Sequence, residues 1–197
     1  MDKYISFRRR REKKTDYRQR LAFVKSGMAR MVIRRSIRNM RIQFINFAAP
    51  GDTVVVEKIS KALEKYGWSC HNANLPASYL IGYLAGAEAL SKGVKEAIVD
   101  IGLQDSIKSS SLYCAALGAR DAGVKINIGK EVLPDKDRVS GKHISSYAAK
   151  IKGSPAYQRQ FSAYLKKGID PEKVHEMFEH AKKEIAAKYH ILAVKKE

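Results

Sequence analysis

Hydrophobic and polar positions alternate most regularly between Met31 and Phe47, in the stretch MVIRRSIRNMRIQFINF. Met31, Val32 and Ile33 form a short apolar run. Met40, Ile42 and Phe44 alternate with Arg41 and Gln43, the period of two shown by a strand with one wet face. Two paired strands are predicted, and Arg34, Arg35, Ser36, Ile37, Arg38 and Asn39 then lie around a hairpin turn. Such a hairpin carries its cations around the turn and on one face, with the apolar residues opposite. Arginines can also serve only to guard a sheet edge, but that role needs no cluster, and the segment before the hairpin is more basic still.

The pattern continues downstream. Ala49, Pro50, Gly51 and Asp52 have turn chemistry, and Thr53 to Ile59 reads as a third strand, so an antiparallel meander is expected. Ser60 to Tyr66 predicts a short helix stopped by Gly67. Asn74 can cap a longer helix with Pro76 in its first turn, and Tyr79, Leu80, Tyr83, Leu84 and Ala87 recur at helical spacing until Gly93. Gly82 and Gly86 flatten one stripe of that helix, which suits close packing on the sheet; a membrane dimer face is the other use, and Glu88 and the short apolar length oppose it. Val94 to Ile101 fits a buried central strand. Ser109 to Asp121 predicts a helix with Leu112, Ala115, Ala116 and Ala119 on one face, stopped by Gly123, and Val124 to Ile128 a fifth strand. The expected fold is α/β: a three-layer arrangement with a mixed five-stranded sheet, helices on both faces, and strands four and five parallel through a right-handed crossover.

Beyond Glu131 a polar loop gives way to helices. Ile144, Tyr147, Ala148 and Ile151 make one amphipathic stripe; in the last helix Asp170 caps, Pro171 sits in the first turn, and Val174, Met177, Phe178, Ala181 and Ile185 follow at helical spacing. Three regions result: a basic arm over residues 1–28, an α/β core over 29–140, and a helical extension over 141–197 packed on that core.

Charge adds a partner class to this picture. The formal net charge is +18 over 197 residues, and residues 1–50 hold 15 Lys and Arg against 3 Asp and Glu. Residues 51–141 balance at 11 against 11, and residues 142–197 hold 12 against 6. A neutral centre with cationic ends is the pattern of a folded body carrying surfaces for a polyanion. In residues 1–20 the cations are interleaved with Tyr4, Phe7 and Tyr17. Arginine forks take two phosphate oxygens and aromatic rings stack on unpaired bases, so RNA fits the combination of arm and hairpin. The arm buries too little to order itself, so it is expected to order on RNA. Two cysteines make no disulfide framework and no apolar signal region follows the first charges, so a reducing, cytoplasmic setting is expected. No apolar run approaches the roughly 20 residues of a spanning helix.

Other chemistry is thinly supported. Cys70 and His71 lack a second ligand pair at short spacing, so no metal is expected. Gly123 to Lys130 has five residues between its glycines where a phosphate loop has four, and Glu131 stands where Ser or Thr should hold magnesium. Asp100, at the end of a buried strand, is the carboxylate that could serve metal-dependent phosphoryl chemistry, with Asp105, Asp121 or Glu88 as partners. A metal-dependent RNA-processing nuclease using Asp100 is therefore the alternative to an RNA binder.

Six motifs add a resemblance. FRRRREKKTDYRQRL, RMVIRRSIRNMRIQ, NLPASYLIGYLAG, DIGL at Asp100 to Leu103, LPDKDRVSGKHI at Leu133 to Ile144, and FSAYLKKGIDPEKV at Phe161 to Val174 occur in this order. Together the chain resembles the archaeal form of ribosomal large-subunit protein eighteen, the family that binds 5S ribosomal RNA. The resemblance implies a ribonuclease H-like arrangement without enzymatic activity or cofactor. It also implies binding to 5S RNA in the central protuberance, attachment to the large ribosomal RNA, and contact with neighbouring ribosomal proteins. The positions it marks for RNA are Arg8, Arg9, Arg10, Arg11, Lys13, Lys14, Thr15, Tyr17, Arg18 and Arg20 in the arm, and Arg34, Arg35, Ser36, Arg38, Asn39 and Arg41 in the hairpin.

Overall fold

The structure, a computed structural model, describes residues 5–189. Tyr4 and residues 190–197, at the end of the helical extension, lie outside them. The predicted meander is present as β1 (Ala29–Arg35), β2 (Met40–Asn46) and β3 (Thr53–Ile59), antiparallel in sequence order. A fourth strand, β4 (Ala97–Asp100), joins the far edge of β1 in parallel, giving the order β3-β2-β1-β4. Alternation sorts the side chains: Met31, Ile33, Met40, Ile42 and Phe44 enter the main core, while Arg30, Arg34, Arg41 and Gln43 take the other face.

The fifth strand is a correction, since the described residues contain four. Val124 to Ile128 touches the sheet by a single parallel bridge, Glu96 to Lys125. Val124 and Ile126 are nonetheless buried, so the alternation is satisfied by packing, and beyond the bridge a gap lined by Ala97, Ile98, Ile126 and Asn127 separates the segment from β4.

Two helices cover the core face. In α3 (Leu75–Ser91) Asn74 caps by accepting from the Ala77 amide at 2.9 Å, Pro76 lies in the first turn, and the helix is buried on nearly all sides because it is apolar nearly all round. It crosses α4 (Ser111–Asp121) at very close range. A Cβ on Gly82 would stand 1.9 Å from the Ala115 carbonyl oxygen, and one on Gly118 2.1 Å from that of Tyr79. The flat stripe of α3 therefore serves helix-on-helix contact and not the helix-on-sheet contact expected from the sequence. The Tyr79 hydroxyl donates to Asp121 at 2.9 Å, locking the same pair of helices.

Past a short 3-10 turn and α5 (Lys136–Val139), the extension folds as α6 (Lys142–Ile151), α7 (Pro155–Gln160), α8 (Ser162–Leu165) and a long last helix, α9 (Val174–Tyr189), while the arm contributes α1 (Arg8–Arg11) and α2 (Tyr17–Lys25). Asp170 caps the turn at Pro171 as predicted, and Val174, Phe178, Ala181 and Ile185 are buried. The Phe178 and Tyr79 rings lie 5.6 Å apart, which docks α9 on α3.

Candidate nucleic-acid interface

The hairpin turn is held by its own polar groups. Ser36 N–H donates to the Asn39 carbonyl at 2.8 Å, the Ser36 hydroxyl donates to the same oxygen at 2.8 Å, and Asn39 N–H donates back to Ser36 Oγ at 3.0 Å. Behind the turn, Met40 N–H donates to the buried Ser60 hydroxyl at 3.0 Å, so the tip is fastened to the next element. Arg35 and Arg38 stand exposed around this turn and Ile37 at its tip is 91% exposed. Arg34 and Arg41 face each other directly across the strands, a like-charge pair that is unfavourable unless anions compensate it. Glu57 reaches Arg41 at 3.4 Å; Arg34, Arg35 and Arg38 have no acidic partner among the described residues. Arg34 extends over the loop after β4, where Gly102, at φ +64°, leaves room: a Cβ there would lie 2.1 Å from Arg34 Nη1.

The arm is more ordered than its composition implies. α1 (Arg8–Arg11) is a single exposed turn, but α2 (Tyr17–Lys25) is a full helix capped by Asp16, whose side chain accepts from the Arg18 and Gln19 amides at 2.9 and 3.2 Å. Phe23 is buried, and Arg20 meets Asp52 at 2.7 Å. The expectation of an arm ordered only by RNA is thus corrected over Tyr17–Lys25. The signal was present in Asp16 followed by nine residues free of Gly and Pro. Within residues 8–15, Arg9 donates to Thr15 Oγ1 at 2.8 Å, and Glu12 pairs with Arg8 at 3.8 Å and Lys14 at 2.9 Å. Arg10, Arg11, Lys13 and Arg18 are exposed without an ion pair among the described residues. The Tyr17 ring rests 5.3 Å from that of Phe7.

Arm and hairpin meet at a residue the sequence reading passed over. Arg30 is 6% exposed and is shared between Asp52, at 2.5 Å, and Asp100, at 3.2 Å. Asp52 in turn holds Arg20, so a chain of alternating charges runs from α2 through the β2–β3 loop to the end of β4. Above it opens a small pocket of about 60 Å³ lined by Arg9, Lys14, Thr15, Arg20, Arg30 and Arg34 among others, which brings arm and hairpin cations to one place. Asp100 also accepts from the Gly102 amide at 2.8 Å. Its carboxylate is committed to Arg30 and the backbone, and the described residues contain no group of three His, Cys, Asp or Glu that could hold a metal. Cys70 packs its sulfur 3.7 Å from that of Met177, and burial pushes its thiol up to about 11 against the pull of Lys167, so it stays protonated at neutral pH. No helix among the described residues is long and apolar enough to cross a membrane.

A cationic surface on a mixed α/β body defines a polyanion-binding protein. The comparisons narrow that class. A family model described as ribosomal large subunit proteins 60S L5 and 50S L18 matches residues 3–96. Over 183 residues the chain is 49% identical to large ribosomal subunit protein uL18 of Korarchaeum cryptofilum, covering 93% of this chain and 94% of that one. It is 44% identical to the uL18 protein of Thermofilum pendens, covering 92% and 93%, and 43% identical to that of Methanococcus maripaludis, covering 92% and 94%. The chain belongs to the uL18 family of large-subunit ribosomal proteins. Membership places it among structural proteins of the ribosome and not among enzymes, which sets aside the Asp100 nuclease alternative.

Proposed function

We propose that the protein binds 5S ribosomal RNA through the arm and hairpin and helps attach it to the large ribosomal RNA in the central protuberance, in the cytoplasm. The observation that carries this reading is the ordered turn at Ser36–Asn39, with Arg34, Arg35 and Arg38 around it free of acidic partners among the described residues. A fastened turn with unneutralised arginines presents charge at fixed spacing, which is what a folded RNA of one shape requires. In this reading Arg35, Ser36, Arg38 and Asn39 act as a positioned set, with Arg34 and Arg41 beside them. Arg8, Arg9, Arg10, Arg11, Lys13, Lys14 and Arg18 neutralise phosphates along the arm. Thr15 and Arg20 mainly hold the arm's shape, through Arg9 and Asp52, and Tyr17 offers a ring for stacking. The ribonuclease H-like arrangement belongs to the same proposal, supported by three antiparallel strands, a parallel fourth, and a fifth segment bridged at its outer edge. Neighbouring ribosomal proteins complete the partners, with no cofactor or small-molecule substrate.

The test is chemical protection of 5S RNA with and without the full chain. A discrete footprint that loses part of its protection in Arg35→Ala with Arg38→Ala is expected. Uniform weak protection, unchanged in the variant, would overturn the assignment to the hairpin.

A further inference from the structure

Two long stretches of the chain contain no Asp or Glu yet many cations. One, between Asp16 and Asp52, is the arm helix and hairpin already described. The other lies between Asp137 and Asp170 and carries seven Lys and Arg, from Arg138 to Lys167. It folds as the end of α5 followed by α6, α7 and α8. Flanking acids neutralise two of the seven: Asp137 meets Lys142 at 3.3 Å and Glu172 meets Lys152 at 2.7 Å. Arg138, Lys150, Arg159, Lys166 and Lys167 are exposed and make no ion pair among the described residues.

These cations sit on an ordered scaffold. Phe161 is buried at the centre of an aromatic cluster, with the rings of Tyr157, Tyr164 and Tyr147 at 5.4, 5.9 and 6.4 Å, so one contact group ties the three short helices together. Tyr147 remains 45% exposed. A face that needs only solubility mixes its signs, as α9 does with Glu176, Glu179 and Glu184 among Lys182, Lys183 and Lys188. An acid-free run with partly exposed rings has instead the composition of the arm and hairpin. The extension is built on different elements: α9 docks on α3 through Phe178 and Tyr79, Met177 lies against Cys70, and the Tyr164 hydroxyl accepts from the His71 amide at 3.4 Å. No hydrogen bond or ion pair joins residues 138–189 to residues 5–59 among the described residues.

We propose that residues 138–169 form a second RNA-binding surface, in which Arg138, Lys150, Arg159, Lys166 and Lys167 take phosphates of a structured RNA and Tyr147 packs against a sugar or base. The inference rests on the ribosomal-RNA reading above and gives the second RNA its own protein surface, apart from arm and hairpin. Like any phosphate-neutralising surface, it weakens steeply with salt.

The test uses the full chain and two transcripts, 5S RNA and the large ribosomal RNA, in binding assays over a salt series. One variant carries Lys150→Gln, Arg159→Gln, Lys166→Gln and Lys167→Gln; a second carries Lys150→Arg, Lys166→Arg and Lys167→Arg, which keeps the charge. Thermal unfolding establishes that both remain folded, and ultraviolet crosslinking of the unaltered complex gives a readout independent of substitution. The glutamine variant should keep 5S affinity within about two-fold and lose about ten-fold or more for the large RNA. Its plot of log K against log salt should flatten by about 3 for four removed phosphate contacts. The arginine variant should match the unaltered chain, and large-RNA crosslinks should map to residues 138–169. Unchanged large-RNA binding in the glutamine variant would overturn the proposal, even if a protein neighbour were lost. So would equal losses for both RNAs, or no large-RNA binding by an unaltered chain that binds 5S RNA. Failure of the unaltered chain to bind 5S RNA at all would instead overturn the proposed function.

Discussion

A single side chain, Arg30, links the arm helix, through Asp52, with the end of β4, through Asp100. It lies within β1, between apolar neighbours, and would be expensive to bury alone. Asp52 and Asp100 compensate it from 22 and 70 residues away. No periodicity in the sequence links such positions, which is why Asp100 could be singled out as a buried carboxylate while its partner could not. The pairing decides what Asp100 does. A carboxylate held by a guanidinium and a backbone amide positions the β4 end and the Gly102 loop under Arg34. Asp100→Asn should therefore lower stability by about 1.5–3 kcal/mol, the range for a hydrogen bond to a charged group, with Asp52 still holding Arg30. Affinity of the folded fraction for 5S RNA should stay within about two-fold, and neither form should cleave RNA. Chemical denaturation and a binding titration measure the first two; magnesium-dependent cleavage lost in the variant would restore an enzymatic role.

Among elements, the α3–α4 crossing shows how far pattern reaches. Gly82 and Gly86 were legible as a flat stripe, but the stripe's partner was not, because a glycine pair records only that something comes close. The partner is α4, where Gly118 and Ala115 bring the two backbones together. Gly82→Ala would ordinarily favour a helix by up to about 1 kcal/mol. Here the new methyl meets the Ala115 carbonyl, so a net loss of about 1–3 kcal/mol is expected from overpacking. Gly129→Ala is the control, since nothing lies within 4 Å of its Cβ position and its φ is −62°. Denaturant midpoints separate the two; equal midpoints would mean the helices can part at no cost. The Val124–Ile128 segment makes the complementary point. Its alternation of buried and exposed residues is that of a strand, yet alternation reports which side chains go inside and not whether a backbone partner lies alongside. The arm helix was missed for the opposite reason, because a highly charged composition hid a cap and a buried Phe23.

At the scale of the whole molecule, the cationic ends named by the sequence divide into surfaces of different stiffness, and affinity and specificity should divide with them. Residues 8–14 form one exposed turn bound mainly by their own charges, so their cations can follow any phosphate track. The hairpin tip is closed by three internal hydrogen bonds and fastened to Ser60, so its cations keep their spacing. Flexible cations contribute chiefly counterion release, whereas positioned ones also discriminate between shapes. Replacing Arg10, Arg11 and Lys13 with Ala should weaken binding to 5S RNA and to an unrelated structured RNA alike, and flatten both salt slopes by roughly 2 to 3. Replacing Arg35 and Arg38 with Ala should cost about 1.5–3 kcal/mol per positioned contact on 5S RNA and much less on the unrelated one. The ratio of the two affinities, followed across the salt series, is the deciding quantity. It should hold in the arm variant and fall in the hairpin variant; the reverse would move recognition from the hairpin to the arm.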